Sequence, residues 1–424
     1  MNPLRLFRFP ADMPADLRSN FTHLYWDISW WGLYAGATGA FLTIYAARVG
    51  ATSQQIGLLT AVPAALSLLL SLPAGLLIRR YPARIVTGWA SLISRTLFLA
   101  YALLPFLFPL EQQFNAIFVT VLIITVPTTV INISFSQFFM EAVPLNWRAM
   151  VVGMRGALFA ILSFAVTLVS GQILTYVAFP TGYQIVFFIG FVGGIMTTYH
   201  ILRVHARAGV HPLPVRSAPE AALPGPAAGL RRLMPVLDDS GLHYVKVIGL
   251  LFLFNATNNM VAPLVPGLLV NSLQLSDAMI SIGTATSSML AFITALAMTQ
   301  AARRINNRTG TAIGAGLLSL QAASLAMASG PLLYLLSAVL GGIASGFLMT
   351  SQYNYHLENV PANDQSVWLS RNLLLGNAAV LLGALVGPYL AGLMQIPAAL
   401  FFFGLLRLLT GLAVLRWGAK RQSS

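Results

Sequence analysis

The chain is a succession of apolar stretches, each of a length that crosses a lipid bilayer. Twelve can be read, at about residues 22–46, 54–78, 85–108, 114–140, 151–178, 183–204, 243–270, 278–301, 310–328, 332–357, 368–393 and 396–416. A bilayer core needs about 20 apolar residues of helix. In lipid the backbone must satisfy its own hydrogen bonds, which only helices and closed barrels do. These stretches are continuous and lack the alternation of a barrel strand, so helices are expected. Composition agrees: 57% of residues are hydrophobic and 8% charged, which excludes a soluble globular enzyme, a disordered chain and a coiled coil. There is no cysteine, so disulfides, thiol catalysis and cysteine metal sites are excluded. The sequence shows no metal-ligand spacing, phosphate loop or Ser/His/Asp arrangement either. Neither an enzyme nor a cofactor is expected.

A net charge of +13 would suggest nucleic acid in a soluble protein. Here the positive charge follows the loops. With the N-terminus inside, the cytoplasmic side receives Arg5, Arg8 and Arg18, then Arg79, Arg80 and Arg84, then Arg148 and Arg155. It also receives the cluster from Arg203 to Lys246, then Arg303, Arg304, Arg308, Arg371, Arg416, Lys420 and Arg421. Only Arg48 falls outside, and Arg95 and Arg407 lie within spans. Positive charge marks the cytoplasmic side, so both termini are placed there and no nucleic-acid partner is expected. Residues 1–21 have prolines and no apolar core, and read as a cytoplasmic tail. Residues 205–241 hold Pro212, Pro214, Pro219, Pro224 and Pro226 and read as an extended linker, with a short amphipathic helix at Leu230 to Leu237. Two six-helix bundles remain, 22–204 and 242–417, with a tail at 418–424.

The two bundles echo each other. Thr52-Ser53-Gln54-Gln55-Ile56 returns 224 residues later as Ser276-Asp277-Ala278-Met279-Ile280, and the same offset carries Arg79, Arg80 and Arg84 onto Arg303, Arg304 and Arg308. Glu141-Ala-Val-Pro144-Leu-Asn146 recurs as Glu358-Asn-Val-Pro361-Ala-Asn363, each followed by an arginine opening the next span, Arg155 or Arg371. Parallel repeats about an axis along the membrane normal are one transporter architecture. With its basic central linker, this pattern resembles the major facilitator superfamily (MFS) over nearly the whole chain. After the second span, Gly75-Leu-Leu-Ile-Arg79-Arg80-Tyr-Pro82-Ala-Arg84 keeps the Gly and basic residues of that family's loop motif. It has Arg79 at the acidic position and Pro82 at the second Gly. Gly383 to Gly392 resembles a Gly/Pro pattern of the family's drug antiporters, and is read as helix-packing chemistry. The implied fold is an all-α integral membrane protein with 12 transmembrane helices in two pseudo-symmetric bundles.

Ionisable residues inside a bilayer face the bundle interior or an aqueous cavity. Asp27 lies one to two turns into the first span and is a candidate for proton coupling; the plainer reading is a carboxylate paired with a neighbouring arginine. Glu141 and Glu358, with Arg148, Arg155, Arg371, Arg79 and Arg303, are read as a cytoplasmic gate, against static helix-end electrostatics. Arg95 is an anion-binding or structural cation. Arg407 is read as structural, bonded to carbonyls or a buried acid. The resembled fold lines its cavity with helices one, four, seven and ten. That gives Asp27, Trp31, Tyr34 and Thr38 on the first, Asn132 on the fourth, Asn255 and Asn259 on the seventh, and Ser345, Met349, Gln352 and His356 on the tenth. Interhelical hydrogen bonding is the alternative for each. Such a set suits an amphipathic neutral or cationic solute. The expected function is secondary active transport of a small organic solute by alternating access, driven by a gradient of protons. The partners are the solute, protons and the bilayer. The expected location is the plasma membrane, in a monomer. A lipid translocator or a non-transporting receptor or scaffold is the alternative.

Overall fold

The computed structural model describes residues 13–205, 239–301, 305–361 and 365–418. The linker helix expected at Leu230 to Leu237 lies outside them. The described helices group into twelve rods. The N-bundle holds α1 (Ala15–Tyr34, continued through a π-helical turn Ala35–Gly39 into Ala40–Arg48), α2 (Ser53–Arg80), α3 (Ala83–Leu97 and Leu99–Leu107), α4 (Leu110–Ala142), α5 (Leu145–Tyr176) and α6 (Thr181–Arg203). The C-bundle holds α7 (Asp239–Val261, then Leu264–Gly267 and a π-helical turn Leu268–Ser272), α8 (Asp277–Ala301), α9 (Asn307–Ala326), α10 (Pro331–Asn359), α11 (Gln365–Leu393) and α12 (Ile396–Trp417). Ten of these are long and apolar enough to cross a membrane; α1 and α9 are not among the ten.

Local chemistry sets the breaks. Pro82, Pro109, Pro144 and Pro180 stand just before α3, α4, α5 and α6. Proline is tolerated there because the first N–H groups of a helix have no intrahelical partner. Thr52 forms a capping box with Gln55 at the start of α2, and the Ser276 hydroxyl accepts from the Met279 N–H at the start of α8. The Thr52/Ser276 echo in the sequence is thus one local event, a helix start, used in both bundles. Both bundles also carry a π-helical turn towards the end of their first rod.

The first rod begins at Ala15, ahead of the apolar span read from about residue 22. Its opening turns are two-faced: Leu17, Phe21 and Leu24 pack with Phe138, Ala142, Val151 and Ile201, while Ala15 and Asp16 are exposed. Hydropathy averages over both faces and misses such a turn.

Hydroxyl pairs tie the N-bundle together. Thr87 donates to Ser134 at 2.8 Å between α3 and α4, and Ser91 pairs with Thr198 at 2.8 Å between α3 and α6. Ser67 pairs with Thr129 at 2.9 Å between α2 and α4. Each buries two polar groups as a satisfied pair, worth roughly 1 kcal/mol or less in a membrane. Large side chains such as Trp89, Phe106, Leu332 and Phe401 are exposed on the outside of the bundles, as the wall of a protein solvated by lipid requires.

Candidate functional site

The two ends of the bundle differ. One end carries Arg48, at the close of α1, and Asp277, at the start of α8. The other carries Glu141 and Glu358, at the close of α4 and α10.

At the Arg48 end a single apolar core runs through both bundles. Phe41, Tyr45, Phe98, Tyr183 and Phe187 of the first bundle join Val261, Leu264, Leu268, Ile280 and Phe403 of the second. A polar latch lies on this core. Arg48 Nη2 is 3.1 Å from Asp277 Oδ1 and donates to the Leu275 carbonyl at 2.7 Å. The Tyr183 hydroxyl donates to the same carboxylate oxygen at 2.8 Å. A cation and a phenol from one bundle therefore hold one carboxylate of the other, in a charge-assisted arrangement. Two glycines bring the rods close. A Cβ on Gly57 of α2 would meet the Ala384 carbonyl of α11, and one on Gly171 of α5 would meet the Ser281 side chain of α8. The Gly383 motif serves the same end within the C-bundle, where Gly383 and Gly387 lie against the backbone of α7 at Ala256 and Met260.

At the Glu141 end the core is divided. One cluster belongs to the N-bundle; two others, around Leu251 with Tyr355 and around Tyr244 with Trp368, belong to the C-bundle. A Cβ added to Gly75 of α2, or to Gly153 or Gly156 of α5, would meet nothing within 4 Å. The same two rods that are tightly packed against the C-bundle at one end have open space beside these glycines at the other. A cavity of about 220 Å³ lies here between α7, α10 and α11. Its polar lining is Asn255, Gln352, Tyr353, His356 and Asn372, and its apolar wall includes Phe252, Leu348 and Leu375. Met349 and Tyr353, on its rim, are 70% and 63% exposed, so it opens out of the protein.

Four of the residues expected in a cavity, Asn255, Met349, Gln352 and His356, line this one together. Gln352 Nε2 donates to Asn255 Oδ1 at 3.2 Å. Asn259 donates to the Asn255 carbonyl at 2.8 Å, and Ser345 donates to the Gly341 carbonyl at 2.7 Å. Asn132 is exposed on α4. Nothing in the sequence singled out Asn372, because it sits on a rod that the resemblance did not place at the cavity.

The first-helix residues form a different site inside the N-bundle. Asp27 is buried, and its Oδ2 lies 2.8 Å from Arg155 Nη1 of α5, which also donates to the Leu24 carbonyl. The Arg155 guanidinium stands 5.3 Å from the Phe135 ring. Trp31 stacks on Tyr34, and Tyr34 on Phe98. The Arg95 guanidinium lies 4.1 Å over Trp31, with only long contacts to Thr197 and Ser94 hydroxyls at 3.5 and 3.4 Å. This is a cation held by aromatic faces. Thr38 is fully buried against Gly190 of α6.

The gate candidates hold partners in their own bundles. Glu141 accepts from Gln137 at 3.0 Å, and Arg148 donates to the Val143 and Met140 carbonyls at the end of α4. Glu358 accepts from Asn307, and the Arg371 guanidinium lies 4.5 Å over Trp368. Arg407 is buried and donates to the Leu318 and Asn258 carbonyls at 3.2 and 3.0 Å, the structural arrangement expected for it. Arg303 and the side chain of Arg79 lie outside the described residues. The latch was overlooked in the sequence. Its signal was present: one arginine alone on the outer side, and one aspartate in the equivalent loop of the other repeat.

Comparison with known proteins places this geometry. A sequence model of the Major Facilitator Superfamily matches residues 247–424. No curated protein matches the chain. Solved structures share the fold over nearly its whole length. A bacterial homologue of the iron transporter ferroportin, in an inward-facing state, is 13% identical with a TM-score of 0.69, covering 96% of this chain and 99% of that one. The xylose transporter XylE from E. coli, partially occluded and inward open, is 13% identical with a TM-score of 0.66, covering 96% and 100%. The nucleoside transporter NupG is 13% identical with a TM-score of 0.63, covering 96% and 100%. Residues 247–424 are thus similar in sequence to the Major Facilitator Superfamily, and the chain as a whole shares the fold of these solved structures.

Proposed function

We propose that the chain is a secondary active transporter that moves a small organic solute across a membrane by alternating access, driven by a proton gradient. One observation carries this reading: the bundles share a core and a latch at the Arg48 end, while a cavity opens at the Glu141 end. A static scaffold has no need of that asymmetry. A transporter does, because its solute must meet one side at a time. Similar structures described as inward-facing or inward open support the same assignment. Among the described residues the Glu141 end carries Arg84, Arg148, Arg155, Arg203, Arg308, Arg371 and Arg416, against Arg48 alone at the other. The positive-inside rule then makes the Glu141 end cytoplasmic.

In this reading the solute enters the cavity beside Asn255 and Gln352, at the face of the C-bundle. Asp27 is the proton site. Its protonation removes the carboxylate that holds Arg155, and the freed guanidinium takes a new partner as the bundles rock. Glu141, Arg148, Glu358 and Arg371 exchange partners as the cytoplasmic end closes, with Arg79 and Arg303 included by their repeat positions. The test uses the absence of native cysteine. A single cysteine at Gly75 should react readily with a membrane-impermeant reagent from the cytoplasmic side of oriented proteoliposomes. Transported solute together with an inward proton gradient should change that rate. Labelling indifferent to every solute that demonstrably binds would sink the proposal.

A further inference from the structure

Asp27 is the acid on which a cationic solute would depend, and it is already spoken for by Arg155, inside the N-bundle. The cavity itself is lined by amides, a phenol and an imidazole, and no Asp or Glu is among its lining residues. A cation entering it would lose water and meet no counter-charge. An anion would meet His356. We infer that the solute carries a carboxylate-like anionic group, and that protonated His356 pairs with it. This deepens the transporter reading and rests on it.

His356 is built for the task. It is 5% exposed and lines the cavity. Its Nδ1 is 3.2 Å from the Tyr244 hydroxyl. A hydroxyl donates to the neutral nitrogen or accepts from the protonated one. The ring therefore takes up a proton without losing its partner. Tyr244 is held in turn by Trp368, whose ring meets it edge-on at 5.2 Å, with Arg371 over the Trp368 ring. Near His356 along the surrounding elements, the titratable and charged groups are His243, Tyr244 and Lys246 on α7, Tyr353, Tyr355 and Glu358 on α10, and Arg371 on α11; Asp239 opens α7 with its side chain outside the described residues. Among the described residues no carboxylate lies within ion-pair distance of His356, so its positive charge is left for the solute. Phe252, Leu348 and Leu375 receive the apolar body.

Three probes with one ring and different head groups test this: benzoate, benzamide and benzylammonium. Titration calorimetry of the purified protein in buffers of different ionisation heat reads both affinity and protons taken up. Near about pH 5.5 benzoate should bind roughly tenfold or more tighter than benzamide, with net proton uptake. The advantage should shrink by about pH 8. His356→Gln should abolish the proton uptake and the preference while keeping benzamide binding. If that variant fails to fold, Gln352→Glu serves: a carboxylate one turn away should reverse the order in favour of benzylammonium. Equal binding of the three probes, no saturable binding of any, benzoate binding without proton uptake, or an unchanged order in Gln352→Glu would each overturn the assignment. Failure of the transport reading looks different. Benzoate would then bind with the full pH signature yet show no flux in proteoliposomes. Gradient-driven flux of a neutral or cationic solute, indifferent to His356→Gln, would keep the transporter and remove this inference.

Discussion

The two ends of the molecule are made from the same helices and the same residue types, yet they handle charge in opposite ways. At the Arg48 end the ion pair crosses from one bundle to the other, and the apolar core crosses with it. At the Glu141 end three pairings lie inside a bundle: Asp27 with Arg155, Glu141 with Gln137, Glu358 with Asn307. The lesson concerns where a charge acts. A pair inside a bundle stabilises that bundle for as long as both partners keep their charge. A pair between bundles stabilises only the states in which they touch, so its energy goes into the balance between conformations. In the proposed cycle the inter-bundle pair weighs directly on that balance, while the intra-bundle pairs hold their own bundle until they exchange partners.

The largest predicted effect tests the first half of that statement. Asp27→Asn leaves a buried guanidinium without its carboxylate, which costs about 3–5 kcal/mol. Thermal unfolding in detergent should register the loss. Replacing both partners, Asp27→Asn with Arg155→Met, should recover part of it, since the stranded charge is gone. Because rocking in the proposed cycle needs solute as well as a proton, labelling of a cysteine at Gly75 in the absence of solute should stay near the native rate. A large change in labelling with little loss of stability would mean that the pair acts between bundles after all.

Gly171→Ala tests the second half. Its methyl would enter the space of the Ser281 side chain, across the bundle contact. Overpacking of this kind costs about 1–3 kcal/mol, and each 1.4 kcal/mol is a factor of about ten in an equilibrium. The bundles should part at the Arg48 end and close at the other. The cysteine at Gly75 should then label more slowly, with the unfolding midpoint little changed. The matching control is Gly153→Ala, on the same rod, where nothing lies within 4 Å; it should alter neither reading.

How much of this could be read from the sequence follows from the range of each interaction. Helix breaks and the repeat were legible because they are local: Thr52 and Ser276 cap helices, and prolines stand at the starts of rods. The fold followed from apolar length and the repeat. Side-chain direction was harder. Asp27, Trp31, Tyr34 and Thr38 share a helical spacing, but Thr38 lies inside the π-helical turn Ala35–Gly39, which changes the register there, and it ends up buried against α6. Contacts between distant segments were out of reach. Arg48 and Asp277 are far apart in the chain, and nothing local to either announces the other. Asn372 was missed for the related reason that its place at the cavity depends on how α11 packs on α7 and α10. Arg407 was legible as structural because a buried arginine without an acid turns to backbone carbonyls.

The finest test lies within the latch itself. Asp277→Asn removes the charge and leaves Arg48 its bond to the Leu275 carbonyl. A hydrogen bond to a charged group contributes about 1.5–3 kcal/mol, and the partial exposure of Arg48, 25%, puts the loss toward the lower end of that range. Tyr183→Phe removes one neutral donor from the same oxygen and should cost about 0.5–1.5 kcal/mol. Both act through one carboxylate, so their effects on labelling at Gly75 should be less than additive when combined. Exchanging the charges, Arg48→Asp with Asp277→Arg, should restore part of the native balance, although the phenol then faces a guanidinium and gains nothing. If Tyr183→Phe matches Asp277→Asn in size, the phenol rather than the arginine sets the balance, and the latch is a hydrogen bond that happens to lie beside a charge.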